Sequence, residues 1–359
     1  MRDRIRVGIV GYGYAGEVIH APLIESVPDL ELVAVSTSRA DRAAVARERG
    51  LRVHNDPDAL IAAADIDLVV IATPHDSHLP LALAAARSGK HVVVDKLMAL
   101  DANEADAMAL AARDAGVMLS VFHNRRWDGD FLAVRDLIAR RDGHAAGDAT
   151  AEGDPRPGAL IRVRSWVHAA GPPSPDRWRS HRSRGGGIFS DWGAHLLDQA
   201  LLLHRGPVAR VYCTLQRAVE GVDVETAALC VIEFDSGVTH IVETNQLFHD
   251  AAKGYEIWGT DGRAVVTGFD PAENELNLRV RGVGRRAPGY DARWITDGGV
   301  SALPTPIAGD WAAYYRNIAA HLLDGDDLAV SVESVLRTMR LRDAALRSAA
   351  ERRVIEKPV

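Results

Sequence analysis

The sequence predicts an α/β protein, with an N-terminal Rossmann doubly wound parallel sheet followed by a C-terminal α+β domain on a mainly antiparallel open sheet. Three observations predict it. Arg4 to His20 reads as strand, glycine turn and helix start in immediate succession. From there to Phe122 strands and helices alternate, and the strands are apolar throughout, as a sheet covered on both faces requires. Beyond Arg126 that rhythm gives way to hairpin-like strand pairs.

In the first strand Ile5, Val7, Ile9 and Val10 lead without a spacer into Gly11-Tyr12-Gly13-Tyr14-Ala15-Gly16. This is G-x-G-x-x-G in the strand-turn-helix setting that gives it meaning. The first glycine permits the turn, the second admits backbone close to a pyrophosphate, and the third lets helix pack on strand. The phosphates of a dinucleotide would rest at the positive end of the helix that starts near Tyr14 and Ala15.

Glu31 to Val35 is the second strand, and Ala40 to Arg49 a helix stopped by Gly50. Between them stands Ser36-Thr37-Ser38-Arg39. A carboxylate here would hold the adenine ribose of NAD and repel a 2′-phosphate. Hydroxyls and a guanidinium favour NADP instead, with NAD the alternative. The remaining strands of this half are Leu68 to Ala72, His91 to Val94 and Val117 to Phe122, with helices from His78 to Arg87 and from Ala102 to Ala115. Ligands of such sheets bind at the carboxyl ends of the strands. That rule gathers Gly11 to Gly16, Ser36 to Arg39, Thr73 to His78, Asp95 to Leu97 and His123 to Trp127 into one rim.

A length of 359 residues suits two domains, placed at 1–125 for dinucleotide binding and 126–359 for substrate binding and oligomerisation. A net charge of −7 argues against nucleic acid as a partner. No window is long and apolar enough for a membrane span, and no signal-peptide pattern precedes the first strand, so a cytoplasmic protein is expected. Cys213 and Cys230 lie in separate strand-like runs without metal spacing; both read as reduced structural thiols, and no metal is expected.

In the second half a helix from Phe131 to Arg140 precedes a Gly-, Ala-, Asp- and Pro-rich excursion from Asp142 to Gly158. Strands follow at Leu160 to His168, Val208 to Arg217, Ala227 to Phe234, Val238 to Gln246, Tyr255 to Gly259 and Arg263 to Thr267, with turns at Asp235 to Gly237 and Thr260 to Gly262. Asp310 to Leu323 and Val332 to Ala350 read as closing helices. A sheet with helices on one face must cover the other, which implies a homodimer or homotetramer through this sheet.

Two places carry candidate chemistry. In Gly185 to Gln199, Ser190 is a plausible N-cap, so Asp191 falls in the first helical turn and His195 one turn later on its face, with Asp198 and Gln199 following. A histidine with a carboxylate one turn away can be held in one tautomer and move a proton. Lys96 ends a buried strand at the rim where a nicotinamide would lie, and can stabilise charge on a substrate oxygen.

GYGYAGEVIHAPLI, VVIATPHDSH, SGKHVVVDK, VFHNRRWDGDF and GGGIFSDWGAHLLDQ follow one another through nearly the whole chain. In that order they resemble the glucose-fructose oxidoreductase/inositol dehydrogenase (Gfo/Idh/MocA) family. His20-Ala21-Pro22 and Phe122 to Asp128 are similar in texture to its NADP-linked scyllo-inositol dehydrogenase-like members. The resemblance implies His195 as acceptor of a hydroxyl proton, Asp191 as its orienter and a substrate contact, and Lys96 as a contact to hydroxyl and nicotinamide ribose. Asp95 and Leu97 stand where the family has Glu and Pro. It further implies Thr73, Pro74 and His78 beside the nicotinamide, Asn124 and Arg125 at a strand end by the substrate, and Trp178 on a loop over a sugar ring. His168, at a strand end, is a further substrate candidate.

The expected activity is an NAD(P)-dependent dehydrogenase acting on a secondary alcohol of a cyclic polyol or sugar, inositol- or pyranose-like. Two alternatives stand beside it. One is a 3-dehydrogenase of glycosylated sugars; the other is a non-catalytic regulatory protein that binds dinucleotide and sugar.

Overall fold

The computed structural model describes residues 4–140, 155–204, 206–248, 251–268, 290–303 and 307–359. Most of the expected excursion from Asp142 to Gly158 lies outside them. The first half contains β1 (Ile5–Val10), α1 (Ala21–Glu25), β2 (Leu30–Ser36), α2 (Ala40–Glu48), β3 (Arg52–His54), α3 (Pro57–Ile61), β4 (Leu68–Ile71), α4 (His78–Arg87), β5 (His91–Val94), α5 (Ala102–Asp114) and β6 (Leu119–Val121). Its strands form one parallel sheet in the order β3-β2-β1-β4-β5-β6. That is the doubly wound order, whose direction reverses beside β1 and opens a crevice at the strand ends.

Local chemistry sets the helix limits. Gly50 takes φ +77° and stops α2, while Asp101 caps α5 by accepting from the Glu104 N–H at 2.9 Å. The short α3 was not anticipated, although Asp56 caps it and Pro57 opens it.

Then come α6 (Gly129–Arg140), β7 (Leu160–Ala170), α7 (Ala194–Leu203), β8 (Val208–Gln216), β9 (Ala227–Phe234), β10 (Thr239–Phe248), β11 (Ala252–Gly259), β12 (Arg263–Thr267), β13 (Asp291–Thr296), β14 (Gly299–Ala302), α8 (Ala312–Asp324), α9 (Val332–Glu351) and β15 (Ile355–Glu356). The second sheet runs β14-β13-β12-β11-β7-β10-β9-β8-β15 and is antiparallel except for the β7–β10 pair. Both expected hairpins form, and each closes through a backbone bond, Gly237 N–H to Phe234 O at 2.8 Å and Gly259 N–H to Gly262 O at 3.0 Å. Cys213 and Cys230 are free, buried and directly opposite each other on β8 and β9.

Alternation along the strands gives this sheet two different faces. Val163, Val167, Val211, Cys230 and Val242 are buried toward α6, α7 and α9, whereas Arg164, Trp166, His168 and Glu243 occupy the outer face. His168 pairs there with Glu243 at 3.3 Å. It is therefore turned away from the helices that carry His195, which corrects its expected substrate role: strand parity sends its ring to the other side.

Packing does not follow the sequence boundary at residue 125. Trp311, Tyr314, Tyr315 and Ile318 of the α8 region, with Val335 and Met339 of α9, complete the core of the first sheet. The chain thus returns to its beginning, and its last helices pack on the first sheet.

Candidate active site

The glycine turn shows which demands come from the fold and which from a ligand. Gly11 has φ +95°, and a Cβ there would meet the Ala72 carbonyl oxygen at 2.5 Å. A Cβ on Gly16 would overlap the Gly11 carbonyl. Gly13, by contrast, would meet nothing within 4 Å, and it lines the crevice. Two glycines let the chain fold, while the third leaves bare backbone for something to approach, as a pyrophosphate requires.

That crevice encloses about 490 Å³. At one end it is lined by Ser36, Thr37, Ser38 and Arg39, in the middle by Gly11, Tyr12, Gly13, Tyr14 and Ala15, and at the other by Thr73, Pro74, His75, Asp95 and Lys96, roofed by Trp178 and Arg179. Arg39 is exposed and pairs with Asp41 at 2.7 Å. The residues present fit a dinucleotide along the whole length of the crevice.

At its far end the two halves meet. The Lys96 ammonium contacts the Asp191 carboxylate directly and donates to the Asp191 backbone carbonyl at 3.0 Å. Arg179 adds a second cation 3.5 Å from the other carboxylate oxygen. Burial alone would raise the Asp191 pKa, but the two cations outweigh it and hold the group well below the usual carboxylate range. One turn on, His195 is 5% exposed, and its buried Nδ1 has no hydrogen-bond partner. Burial first, then the charges of Lys96 and Arg125, push its pKa well below the ordinary value, so the ring is a neutral imidazole. Asp95 accepts from the Lys96 N–H at 2.8 Å and feels His20 behind it; burial opposes its ionisation, yet His20 and Lys96 bring it to about 2.

His75 joins this corner to the substrate half. The Leu97 N–H donates to its Nε2 at 3.1 Å, which leaves the proton of the neutral ring on Nδ1, donated to the Gly185 carbonyl at 2.9 Å. Burial, with help from His78 and Lys96, lowers its pKa to about 3 and keeps that tautomer neutral. Trp178 stands edge-on to the ring at 4.7 Å between centroids, and Arg179 covers the indole at 4.3 Å. The glycine triplet permits this contact: a Cβ on Gly185 would press on His75 at 2.8 Å, and those on Gly186 and Gly187 would overlap the Arg179 carbonyl and the Glu225 carboxylate.

Matches to known proteins agree with this geometry. Residues 5–123 match an oxidoreductase family model with an NAD-binding Rossmann fold, and residues 154–265 match the GFO/IDH/MocA C-terminal domain. Oxidoreductase YdgJ of Escherichia coli is 34% identical, with 98% of both chains aligned. The chain belongs to the Gfo/Idh/MocA family. It is accordingly an oxidoreductase with an NAD(P)-binding Rossmann domain. Another family relative, scyllo-inositol 2-dehydrogenase (NADP(+)) IolW of Bacillus subtilis, is 29% identical over 98% of this chain and 96% of its own. A crystallised NAD-binding protein from Listeria innocua superimposes with a TM-score of 0.81 at 26% identity, covering 99% of this chain and 98% of that one.

For this Gfo/Idh/MocA member the structure gathers Lys96, Asp191 and His195 at one corner but revises how they relate. Ser190 is not an N-cap. Phe189–Gly193 is a π turn, and the Ser190 hydroxyl accepts instead from Arg342 at 2.9 Å. A π turn relates residues five apart rather than four, which carries the Asp191 carboxylate to Lys96 and not onto the His195 ring. Asp198 does not orient His195 either; it takes both prongs of Arg126, at 2.6 and 2.8 Å. Gln199 bridges the Arg125 carbonyl and the Tyr255 hydroxyl, each at 2.7 Å.

His78 is fully buried among the carbonyls of Thr73 and Leu97, at 2.9 and 2.8 Å, so it braces the loop from behind and does not line the crevice. Gly16 lies beneath the turn in the same way. Asn124 and Arg125 are buried in a 3-10 turn below the corner, where Arg125 covers Trp192 at 4.1 Å and pairs with Asp128. Glu225 was not singled out in the sequence, while His75 entered only as part of the Thr73 to His78 rim and Arg179 only as a neighbour of Trp178 on its loop. For His75 and Arg179 the available signal was adjacency, to Pro74 and to Trp178; Glu225 carried none, because only the fold brings it to the glycine triplet.

Proposed function

We propose that this oxidoreductase interconverts a secondary alcohol and a ketone on a cyclic polyol or pyranose-like sugar, with NADP as its dinucleotide. One observation carries the reading: a neutral, buried imidazole with an unpartnered nitrogen, one turn from a carboxylate that is itself held by a lysine at the end of the dinucleotide crevice. When bound, the dinucleotide supplies the hydride acceptor at nicotinamide C4. In the oxidative direction the His195 imidazole takes the hydroxyl proton as the carbon gives up its hydride, so one proton and one hydride, two hydrogens and one electron pair in all, leave the alcohol. Lys96 donates a hydrogen bond to the developing oxyanion, and Asp191 positions Lys96 while accepting from a neighbouring hydroxyl. Trp178 and Arg179 suit a ring with an apolar C–H face and a hydroxyl edge.

The neighbourhood of Ser36 to Arg39 supports NADP, since its hydroxyls and guanidinium favour a 2′-phosphate. Arg39→Ala should reduce kcat/KM for NADP by about 10- to 100-fold, the worth of a charge-assisted contact, and leave NAD nearly unchanged; equal losses would refute the cofactor assignment. Substrate class is tested by following nicotinamide absorbance with inositol stereoisomers, free pyranoses and glycosides in both directions. Turnover confined to acyclic alcohols would refute it.

A further inference from the structure

On the reverse side of the catalytic turn lies a second cavity of about 610 Å³, which shares no lining residue with the dinucleotide crevice. One wall is a single face of α9: Arg342, Leu346, Ala349 and Ala350 line the cavity at helical spacing, continued by Leu100 and Leu215. The opposite wall is cationic. Arg182 and Arg217 are both exposed, and among the described residues neither guanidinium has a hydrogen-bond or ion-pair partner.

At the base, Arg342 is 5% exposed and donates to the Leu100 carbonyl at 3.0 Å, the Asp343 carboxylate at 2.9 Å and the Ser190 hydroxyl at 2.9 Å, while its Nε has no partner. Glu225 is the one carboxylate in the lining, is 5% exposed, and accepts from the Phe189 N–H at 3.0 Å. With Arg342 already paired to Asp343, the exposed Arg182 and Arg217 against the buried Glu225 leave the lining with one more cation than carboxylate, and its volume lies in the range of small-molecule sites.

We propose that this cavity is a second ligand site, for a small organic anion whose carboxylate or phosphate head meets Arg182 and Arg217 and whose apolar body lies on Leu215, Leu346 and Ala349. A planar guanidinium pair suits such a head, and the alanine and leucine face suits no polar one. The site stands on its own geometry and not on the polyol reading. Its occupant would touch two segments that reach the catalytic corner, Gly185, whose carbonyl holds His75, and Ser190, next to Asp191.

The experiment is calorimetric titration of the full-length protein, saturated with NADP+ so that phosphate subsites of the crevice are filled. Phenyl phosphate serves as probe, with inorganic phosphate and phenol as its separated halves. Phenyl phosphate should bind at one equivalent per chain, at least about 10-fold tighter than either half. Arg182→Ala and Arg217→Ala should each weaken it by about 10- to 100-fold, as loss of a charge-assisted contact implies. Both arginines are exposed, so melting temperature and NADP+ affinity should stay as in the wild type, which confirms the fold. Absence of binding, loss of binding on adding NADP+, or unchanged affinity in both variants would overturn the proposal.

Discussion

A histidine deprived of water and flanked by cations stays neutral where a free one would charge. For His195 the consequence has a definite sign. Burial, Lys96 and Arg125 all favour the neutral ring, so the proton-accepting form persists as pH falls below the ordinary histidine value near 6.5. The acidic limb of kcat/KM for alcohol oxidation is therefore expected below pH 6.5, and Lys96→Met, by removing the largest of the opposing charges, should move it upward. His195→Ala should lower turnover by roughly 10²- to 10⁴-fold with little change in NADP affinity. An unchanged turnover number would take the imidazole out of the reaction.

Elements carry a different kind of constraint, seen in the glycine turn between β1 and α1. Gly11 and Gly13 occupy one motif but answer to different forces. Gly11→Ala places a side chain in a left-handed backbone and against the Ala72 carbonyl, and should lower stability by roughly 1–2 kcal/mol or more. Gly13→Ala meets open space, so the melting temperature of the free protein should hold while dinucleotide affinity falls. Equal thermal losses in both variants would show that Gly13 too is a folding residue. The π turn at Phe189–Gly193 is the other element-scale device: one extra residue per hydrogen-bonded ring swings Asp191 out to Lys96 and leaves His195 facing inward.

For the whole molecule the outer face of the nine-stranded sheet is the surface that calls for a partner. Tyr212 and Leu229 are each 39% exposed there, among Trp166, Ile241 and the Arg164–Glu243 pair. Aromatic and aliphatic side chains exposed beside the charged pairs of this face suit cover by a second copy of the chain. Light scattering should report an oligomer, and Leu229→Arg should shift it toward monomer; a monomeric wild type would remove the interface. Closure of the chain on itself is the other molecular feature. Tyr315 reaches His20 at 2.6 Å across most of the sequence, and His20 stands behind Asp95. The last helices thus support the floor of the dinucleotide crevice.

By itself the sequence determined what depends on neighbours along the chain: the βαβ rhythm, the three glycines, the hydroxyl-rich end of β2, both hairpin turns, and a lysine on the rim. Apolar period and turn chemistry are local properties, and so they can be read in order. It also brought Lys96, Asp191 and His195 forward as candidates, and the structure gathers them at one corner. Tertiary structure alone decided their partners. Helical spacing pointed the Asp191 carboxylate at His195, and a π turn sent it to Lys96; strand parity turned His168 to the opposite face; His75, given no role of its own within the rim, became the link between Leu97 and Gly185. Such outcomes rest on contacts between segments far apart in sequence, where the phase of a turn or the parity of a strand, and not residue type, fixes which atoms meet.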